Sequence, residues 1–466
     1  MTKLLLIQPN YRTVYSYAGS EQATPIYPPL GLAYIAAVVR EHGYEVKILE
    51  ANAHNLSHEQ IKEEIEKYNP DYLALTASSS MMNEVDRLID LCPKNTKIIL
   101  GGIHASSMPL EVMKDHPKID YLIRREGEET VVELLDGKPL KDIKGLTYWE
   151  NGEVIHNIDS QFIEDLDSMP FPARDLLPMH KYFSFEARAS PIDYIVSGRG
   201  CPYRCTFCSD FITSGRKLRV RSAQSLIKEI KYLVDNYGTK EIDFQDDNFT
   251  FHADRVFEFC NLMVKTGLNK EVIWKVANGV RCDKLTLPML KAMKKAGCYM
   301  LSLGIESGNQ EILNKMRKAE KLEDIRNAVR WCSQVGIETR GLFIFGNLGE
   351  NKETMQETID FAKSLPLDTA TFHICIPMPG TEYYDIIKRE GKFIDVGWEG
   401  YTAYSDGAFV HGDINPKLMS TMQKKAYRKF YLRPSFALRR FFRIRSFKDV
   451  KLIIKGGMQV LNFATH

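Results

Sequence analysis

Short, mainly apolar runs alternating with stretches of helical periodicity constrain this chain more than any other feature. They fall first at 4–7, 44–49, 72–76, 97–100 and 121–123, and again at 194–197, 241–245, 272–277, 300–304, 341–345 and 371–376. Strands that are apolar on both faces and separated by helices make parallel sheets covered on both sides. One helix start is explicit: Ser57-His58-Glu59-Gln60 fits a capping box ahead of Ile61, Ile65 and Tyr68 at helical spacing. Helices also fill 223–237 and 322–335. The fold class is therefore α/β. The six later units fall two short of a closed eightfold barrel, so an open, partial barrel is expected.

Parallel sheets take ligands beyond the carboxyl ends of their strands. In the first half those ends read Gln8-Pro9-Asn10, Glu50-Ala51-Asn52, Ala77-Ser78-Ser79-Ser80, Gly101-Gly102-Ile103-His104 and Arg125-Glu126-Gly127-Glu128. Small, hydroxylated and glycine-rich, they suit a ligand pressed against backbone. A connector follows, with Asn151-Gly152 as a hairpin signal and Pro170, Pro172 and Pro178 breaking periodicity. The expected organisation is a first domain at 1–140, a linker with a β-hairpin at 141–192, the barrel at 193–395 and a helical basic extension at 396–466.

That extension carries twelve Lys or Arg against Asp449 alone over 424–455, a local charge of +11 in a chain whose total is +2, so the remainder stands at −9. Near-neutrality excludes a globally basic nucleic-acid coat, and a basic tail without a recognition fold is thin support for nucleic-acid binding. Two readings stay open for the tail: a helix packing its aromatic face on the barrel, or peripheral contact with an anionic membrane. No run approaches the ~18 apolar residues of a membrane span, and the apolar start at 4–7 is too short for a signal-peptide core. A cytoplasmic, reducing location is expected, with peripheral membrane contact as its variant. The nine cysteines are then free thiols or metal ligands.

Cys92, Cys260, Cys282, Cys298, Cys332 and Cys375 are scattered in apolar surroundings and read as buried hydrophobes. The other three are crowded into Cys201-Pro202-Tyr203-Arg204-Cys205-Thr206-Phe207-Cys208, on a loop that follows the first barrel strand. Structural zinc takes four ligands, commonly in paired C-x2-4-C spacing, and no fourth cysteine or nearby histidine completes such a set. Three thiolates on one loop hold three irons of a four-iron cluster and leave the fourth open, whereas a fully ligated cluster uses four cysteines.

This loop resembles the signature of radical S-adenosylmethionine (SAM) enzymes, whose C-x3-C-x-aromatic-C motif is matched by Cys201, Cys205, Phe207 and Cys208. The resemblance implies a 4Fe-4S cluster on the three cysteines, with SAM chelated at the open iron. One electron would then cleave SAM to a 5′-deoxyadenosyl radical. It also implies the radical SAM type of partial barrel and a one-electron reductase such as flavodoxin or ferredoxin. By position, it implies SAM contacts from Phe207, from Asp246, Asp247 and Asn248, from Glu306 and Ser307, and from Phe345 and Gly346. The Asp246–Asn248 stretch reads equally as a cap for the next helix.

The N-terminal runs Tyr27-Pro28-Pro29-Leu30-Gly31-Leu32, Gly101-Gly102-Ile103-His104 and Arg125-Glu126-Gly127-Glu128-Glu129 resemble the cobalamin-binding domain fused to many radical SAM enzymes. That implies a Rossmann-like, flavodoxin-like first domain. Its implied cobalamin contacts are Pro9, Pro29, Leu30, Gly31, Ser78, Ser79, Ser80, Gly101, Gly102, His104, Glu126 and Glu128. The D-x-H-x-x-G run of methionine-synthase-type domains is missing, since Asp115-His116 has the wrong spacing, so cobalamin without a protein histidine ligand is expected. Radical SAM methylthiotransferases are excluded, because they need three N-terminal cysteines and this half has only Cys92.

The leading reading is a cobalamin-dependent radical SAM C-methyltransferase acting on an unreactive carbon of a small or lipid-like substrate. The alternatives are an oxidative cyclase or rearrangement enzyme for tetrapyrrole or lipid-like substrates, and, from another class, a non-catalytic metal-stabilised scaffold or membrane adaptor. The loops at 210–220 and 396–411 are expected to shape the substrate pocket. The sequence assigns no substrate acid or base.

Overall fold

The computed structural model describes residues 2–15, 25–402, 407–434 and 436. The first sheet is built from β1 (Lys3–Gln8), β2 (Glu45–Glu50), β3 (Tyr72–Thr76), β4 (Lys97–Gly101) and β5 (Tyr121–Ile123), all parallel, in the order β2-β1-β3-β4-β5. Strand β1 shows why an unbroken apolar run is needed. Leu4 and Leu6 enter one buried cluster, while Leu5 and Ile7 enter another. Successive side chains point to opposite faces, so both faces of this covered strand are apolar. The expected capping box forms, with Ser57 accepting from the Gln60 backbone N–H and the Gln60 side chain accepting from the Ser57 N–H.

Strand order reverses at β1/β3, the switch point where such sheets open a ligand crevice. The Asn151-Gly152 turn has φ of +51° and +83°, the left-handed pair that tight hairpins require. Its strands, β6 (Leu146–Glu150) and β7 (Glu153–His156), are not a free connector. They add antiparallel to β5 and extend the first sheet to seven strands, with Leu146 and Tyr148 buried in its core.

Past the prolines comes β8 (Ile192–Ile195), then a short antiparallel ribbon, β9 (Gly198–Arg199) with β10 (Arg219–Val220), that brackets the cysteine loop. The remaining strands are β11 (Glu241–Phe244), β12 (Ile273–Val280), β13 (Cys298–Glu306), β14 (Glu338–Phe345) and β15 (Thr369–Ile374). With β8 they form one six-stranded parallel sheet in chain order, with β8 and β15 as its open edges. The partial barrel is therefore present. Arg174, from the connector, is fully buried; it pairs with Glu229 at 2.6 Å and donates to the Tyr194 carbonyl at 2.8 Å, fastening the connector to the barrel.

A free strand edge exposes unpaired backbone groups. Here the helix Pro416–Tyr431 covers β15: Gln423 donates to the Phe372 carbonyl at 2.7 Å, and the Tyr431 hydroxyl accepts from Ala370 N–H and donates to Ala370 C=O. Met419, Met422, Ala426 and Phe430 are buried against the barrel. Of the two readings of the basic extension, packing is what this helix shows; the tail from 437 onward lies outside the described residues. Among the described residues no helix is long and apolar enough to cross a membrane. Tyr431→Phe removes both hydroxyl bonds to Ala370 and is expected to lower unfolding free energy by about 1–2 kcal/mol, measured by denaturant unfolding.

Candidate functional site

The cysteine loop is held open by backbone, not by its thiols. Gly200 has φ of +93°, and a Cβ there would meet the Ser214 carbonyl at 2.7 Å, so only glycine enters the loop. Its N–H donates to Asp247 at 2.9 Å. Thr206 N–H donates to Met316 C=O, and Tyr383 N–H donates to Thr206 C=O, both at 3.0 Å. Cys201, Cys205 and Cys208 remain half-buried and unbridged. Burial pushes all three thiols up, which leaves them as ligands whose protons a metal must displace. Among the described residues no group of three or more His, Cys, Asp or Glu closes on one point as a single-ion cage would. Thiolates that each serve a different iron of a cluster need no common point. Three cysteines on one loop without a fourth Cys or nearby His in sequence make a donor set that fits a cluster.

The polar groups at the barrel strand ends divide into occupied and free. Asp246 accepts from the Ser197 N–H at 2.6 Å and from the Ser197 hydroxyl, with Arg255 at 3.8 Å. Asp247 holds Gly200, and burial raises its carboxyl to about 7. Glu306, at φ +62° where β13 slips register against β14, curls back to Lys318 at 2.9 Å. Ser307 shares a bond with Thr358. Phe345 is buried and stacked on Phe372, and Gly346 is engaged through its N–H with Glu350 and through its carbonyl with Tyr383. Each of these expected SAM contacts also has a partner within the fold, through its side chain or, for Gly346, through its backbone. Phe207 packs partly buried on the barrel core. Asn248 differs. It is 2% exposed, and both of its amide atoms lack any partner. A buried unpaired polar atom costs about 1–3 kcal/mol, a cost that a ligand or an ordered water at this amide would remove.

The first sheet's crevice gathers most of its expected residues. Gly102 is at φ +97°, where a Cβ would meet the Ala77 carbonyl at 2.7 Å. His104 N–H donates to that carbonyl, and Ser79 bonds His104 Nδ1 at 2.9 Å. Ser78 and Ser80 share a bond at 3.3 Å. Pro9 is buried at the end of β1, and Gly31 has open space around it. His104 is buried beneath Trp398, 4.6 Å away edge to face, and burial lowers its imidazole to about 4. The barrel's trailing segment therefore reaches the first sheet, as the pocket-shaping role expected of 396–411 requires; residues 403–406 lie outside the described residues.

Three expected cobalamin contacts also lie at the domain boundary. Leu30, next to Pro29, packs on Ala187, Ile192 and Tyr194 of the barrel side. Glu126 pairs with Arg219 at 2.8 Å and Arg199 at 3.2 Å, and Glu128 pairs with Arg199 at 2.7 Å. Their partners lie far along the chain, so the glutamates looked free in sequence. Conversely, sequence reasoning placed Asn52 at a strand end without assigning it a contact, and passed over Tyr182. Asn52 is wholly buried with both amide atoms unpartnered, and the Tyr182 hydroxyl is buried and unpartnered. Glu50, beside them, is raised to about 8 by burial. Neutral, unpaired polar groups at the end of β2 fit an amide-rich neutral ligand such as a corrin periphery. The only sequence signal was Glu50-Ala51-Asn52 at a strand end.

Comparison with known proteins agrees with both halves. Residues 195–362 match the radical SAM superfamily, and residues 21–135 match the B12 binding domain. The chain is 33% identical over 467 residues to the uncharacterized methyltransferase PH0819 of Pyrococcus horikoshii, covering 99% of this chain and 98% of that protein. It is 27% identical over 447 residues to the anaerobic magnesium-protoporphyrin IX monomethyl ester cyclase of Cereibacter sphaeroides, covering 92% and 70%. It is 30% identical over 428 residues to the cytidylyl-2-hydroxyethylphosphonate methyltransferase of Streptomyces wedmorensis, covering 79% of each. The fold is shared with the radical SAM methyltransferase TsrM of Kitasatospora setae (TM-score 0.70, 19% identity, 84% of this chain and 78% of that one), whose structure holds cobalamin and a 4Fe-4S cluster. It is shared too with the cobalamin-dependent radical enzyme OxsB (TM-score 0.75, 17% identity, 100% and 72%). A non-catalytic scaffold does not survive these matches. The chain belongs to the cobalamin-dependent radical SAM enzymes, with a 4Fe-4S cluster, SAM and cobalamin as its cofactors.

Proposed function

We propose that this enzyme is a C-methyltransferase whose substrate reacts between the two strand-end crevices. One observation carries the reading: the loop after β5 of the first sheet touches the β9–β10 ribbon that brackets the cysteine loop. The crevices therefore face one another. When bound, the cluster and SAM supply the radical that activates a substrate carbon, and cobalamin relays a methyl group from a second SAM to that carbon.

The chain's own part is to hold and exclude. Cys201, Cys205 and Cys208 hold the cluster, and Asn248 meets SAM. Ser78, Ser79, Ser80, Gly101, Gly102, Asn52 and Tyr182 line the corrin crevice. Trp398 covers His104, which fits the expectation that bound cobalamin would be held without that imidazole. The working domains are 1–140, extended by the β6–β7 hairpin, and 193–395. The substrate is a small molecule, and a flavodoxin- or ferredoxin-class protein supplies electrons.

Two of the relatives named above are methyltransferases, and the nearly complete mutual coverage with the first favours this activity. A second reading, oxidative cyclisation, is favoured by the cyclase relative, whose match spans 92% of this chain. Anaerobic turnover with methyl-deuterated SAM decides between them. Methyl transfer predicts S-adenosylhomocysteine and a labelled product alongside 5′-deoxyadenosine. Unlabelled, dehydrogenated product without S-adenosylhomocysteine overturns it in favour of the cyclase.

A further inference from the structure

We infer that Glu126 and Glu128 are positioning residues: they lock the cysteine loop to the cobalamin-binding domain, so that ion pairs across the domain boundary set the spacing of the two redox centres. The inference rests on the two-cofactor reading above.

The contacts form a closed, neutral set of two anions and two cations. Arg219 forks onto Glu126, Nη1 to Oε2 at 2.9 Å and Nη2 to Oε1 at 2.8 Å. Arg199 reaches both glutamates, Glu126 at 3.2 Å and Glu128 at 2.7 Å. Their side chains are 2–14% exposed, so solvent screens them little. Arg199 and Arg219 are direct partners in the β9–β10 ribbon. Only Gly200 separates Arg199 from Cys201, and Cys201 N–H is tied back to Gly215 C=O at 3.2 Å.

Both glutamates are therefore joined through one short ribbon to the first cluster ligand. The same loop also grips the connector, since Glu126 Oε2 accepts from Ile163 N–H at 2.8 Å.

Adhesion of the domains does not need this device. The apolar patch of Leu30, Ile192 and Tyr194 already joins them, and buried ion pairs contribute little net stability against apolar replacements. What a forked arginine–carboxylate pair adds is direction. Orientation matters at this place, because a misplacement of about 1 Å far from the chemistry can cost up to about 10²-fold.

The test uses holoenzyme with the cluster reduced and cobalamin in its one-electron-reduced paramagnetic form, and reads the distance between the two spins by pulsed dipolar EPR. The wild type is expected to give one narrow distribution. Glu128→Gln and the double variant Glu126→Gln/Glu128→Gln broaden or shift it at unchanged iron and cobalamin content, while Glu128→Asp, which keeps the charge, stays narrow. In turnover the Gln variants raise the ratio of 5′-deoxyadenosine to S-adenosylhomocysteine at least about tenfold. If the double variant fails to load its cofactors, the single Glu128→Gln variant decides. A Gln variant with the wild-type distance distribution overturns the inference. Wild-type enzyme that forms no S-adenosylhomocysteine overturns methyl transfer instead, and leaves the distance measurement to judge the clamp.

Discussion

Cys205→Ala abolishes SAM cleavage: 5′-deoxyadenosine formation falls at least about 10³-fold, because the cofactor that carries the chemistry is lost. The loop itself survives, since the Thr206–Met316 and Tyr383–Thr206 backbone bonds are independent of the thiol. Cobalamin binding is expected to stay within about twofold, because the corrin crevice belongs to the other domain. The control is Cys260→Ala. Cys260 is a buried core cysteine, 2% exposed, and its loss leaves 5′-deoxyadenosine formation unchanged at a cost of about 1 kcal/mol in stability. Product analysis by mass spectrometry, cobalamin titration and thermal melting read the three, with an iron assay reporting the cluster. Equal loss of activity in the two variants would contradict the assignment of the cluster.

Lys318→Met destabilises the barrel by about 3–5 kcal/mol, the cost of breaking a buried pair by removing one partner. Lys318 Nζ lies 2.9 Å from Glu306 and 3.6 Å from Glu320, and all three side chains are at most 9% exposed. Burial opposes the ammonium, but Glu306 and Glu320 outweigh it and raise its pKa. Glu320 meanwhile caps the turn after β12 by accepting from the Cys282 N–H at 2.6 Å. Without the lysine, buried Glu306 loses its ion-pair partner, and buried Glu320 is left with the attraction of Arg281 alone. Adding Glu306→Gln to Lys318→Met removes one of those charges and is expected to recover about half of the loss. Denaturant unfolding of the apoprotein measures both, free of any contribution from cofactor binding. A loss below about 1 kcal/mol in the single variant would mean the carboxylates find water or protons instead.

The fold was legible because its signals are local. An apolar run such as Leu4 to Ile7 states that both faces of its strand are covered, and Asn151-Gly152 states a hairpin, though not which sheet receives it. The cysteine loop was legible for the same reason: all three ligands lie within eight residues. The surroundings of the site were less so. Asp246, Glu126 and Glu306 sit at strand ends where a ligand contact and a structural ion pair look alike. The difference lies in partners 49 residues away for Asp246 and Ser197, 93 for Glu126 and Arg219, and 12 for Glu306 and Lys318. Asn248 and Asn52 stand out for the opposite reason, a lack of any partner, which only packing reveals. Trp398 lies in a loop expected to shape the pocket, but that it packs on His104 is visible only in the fold.

The central claim is that three thiolates hold a cluster with one iron left for SAM. Mössbauer spectroscopy of anaerobically reconstituted, iron-57-labelled protein, recorded with and without SAM, tests it most directly. The account predicts about four irons per chain, one of them spectroscopically distinct and shifted when SAM is added, with Asn248→Ala weakening that response. A single zinc per chain, or four equivalent irons indifferent to SAM, would contradict it.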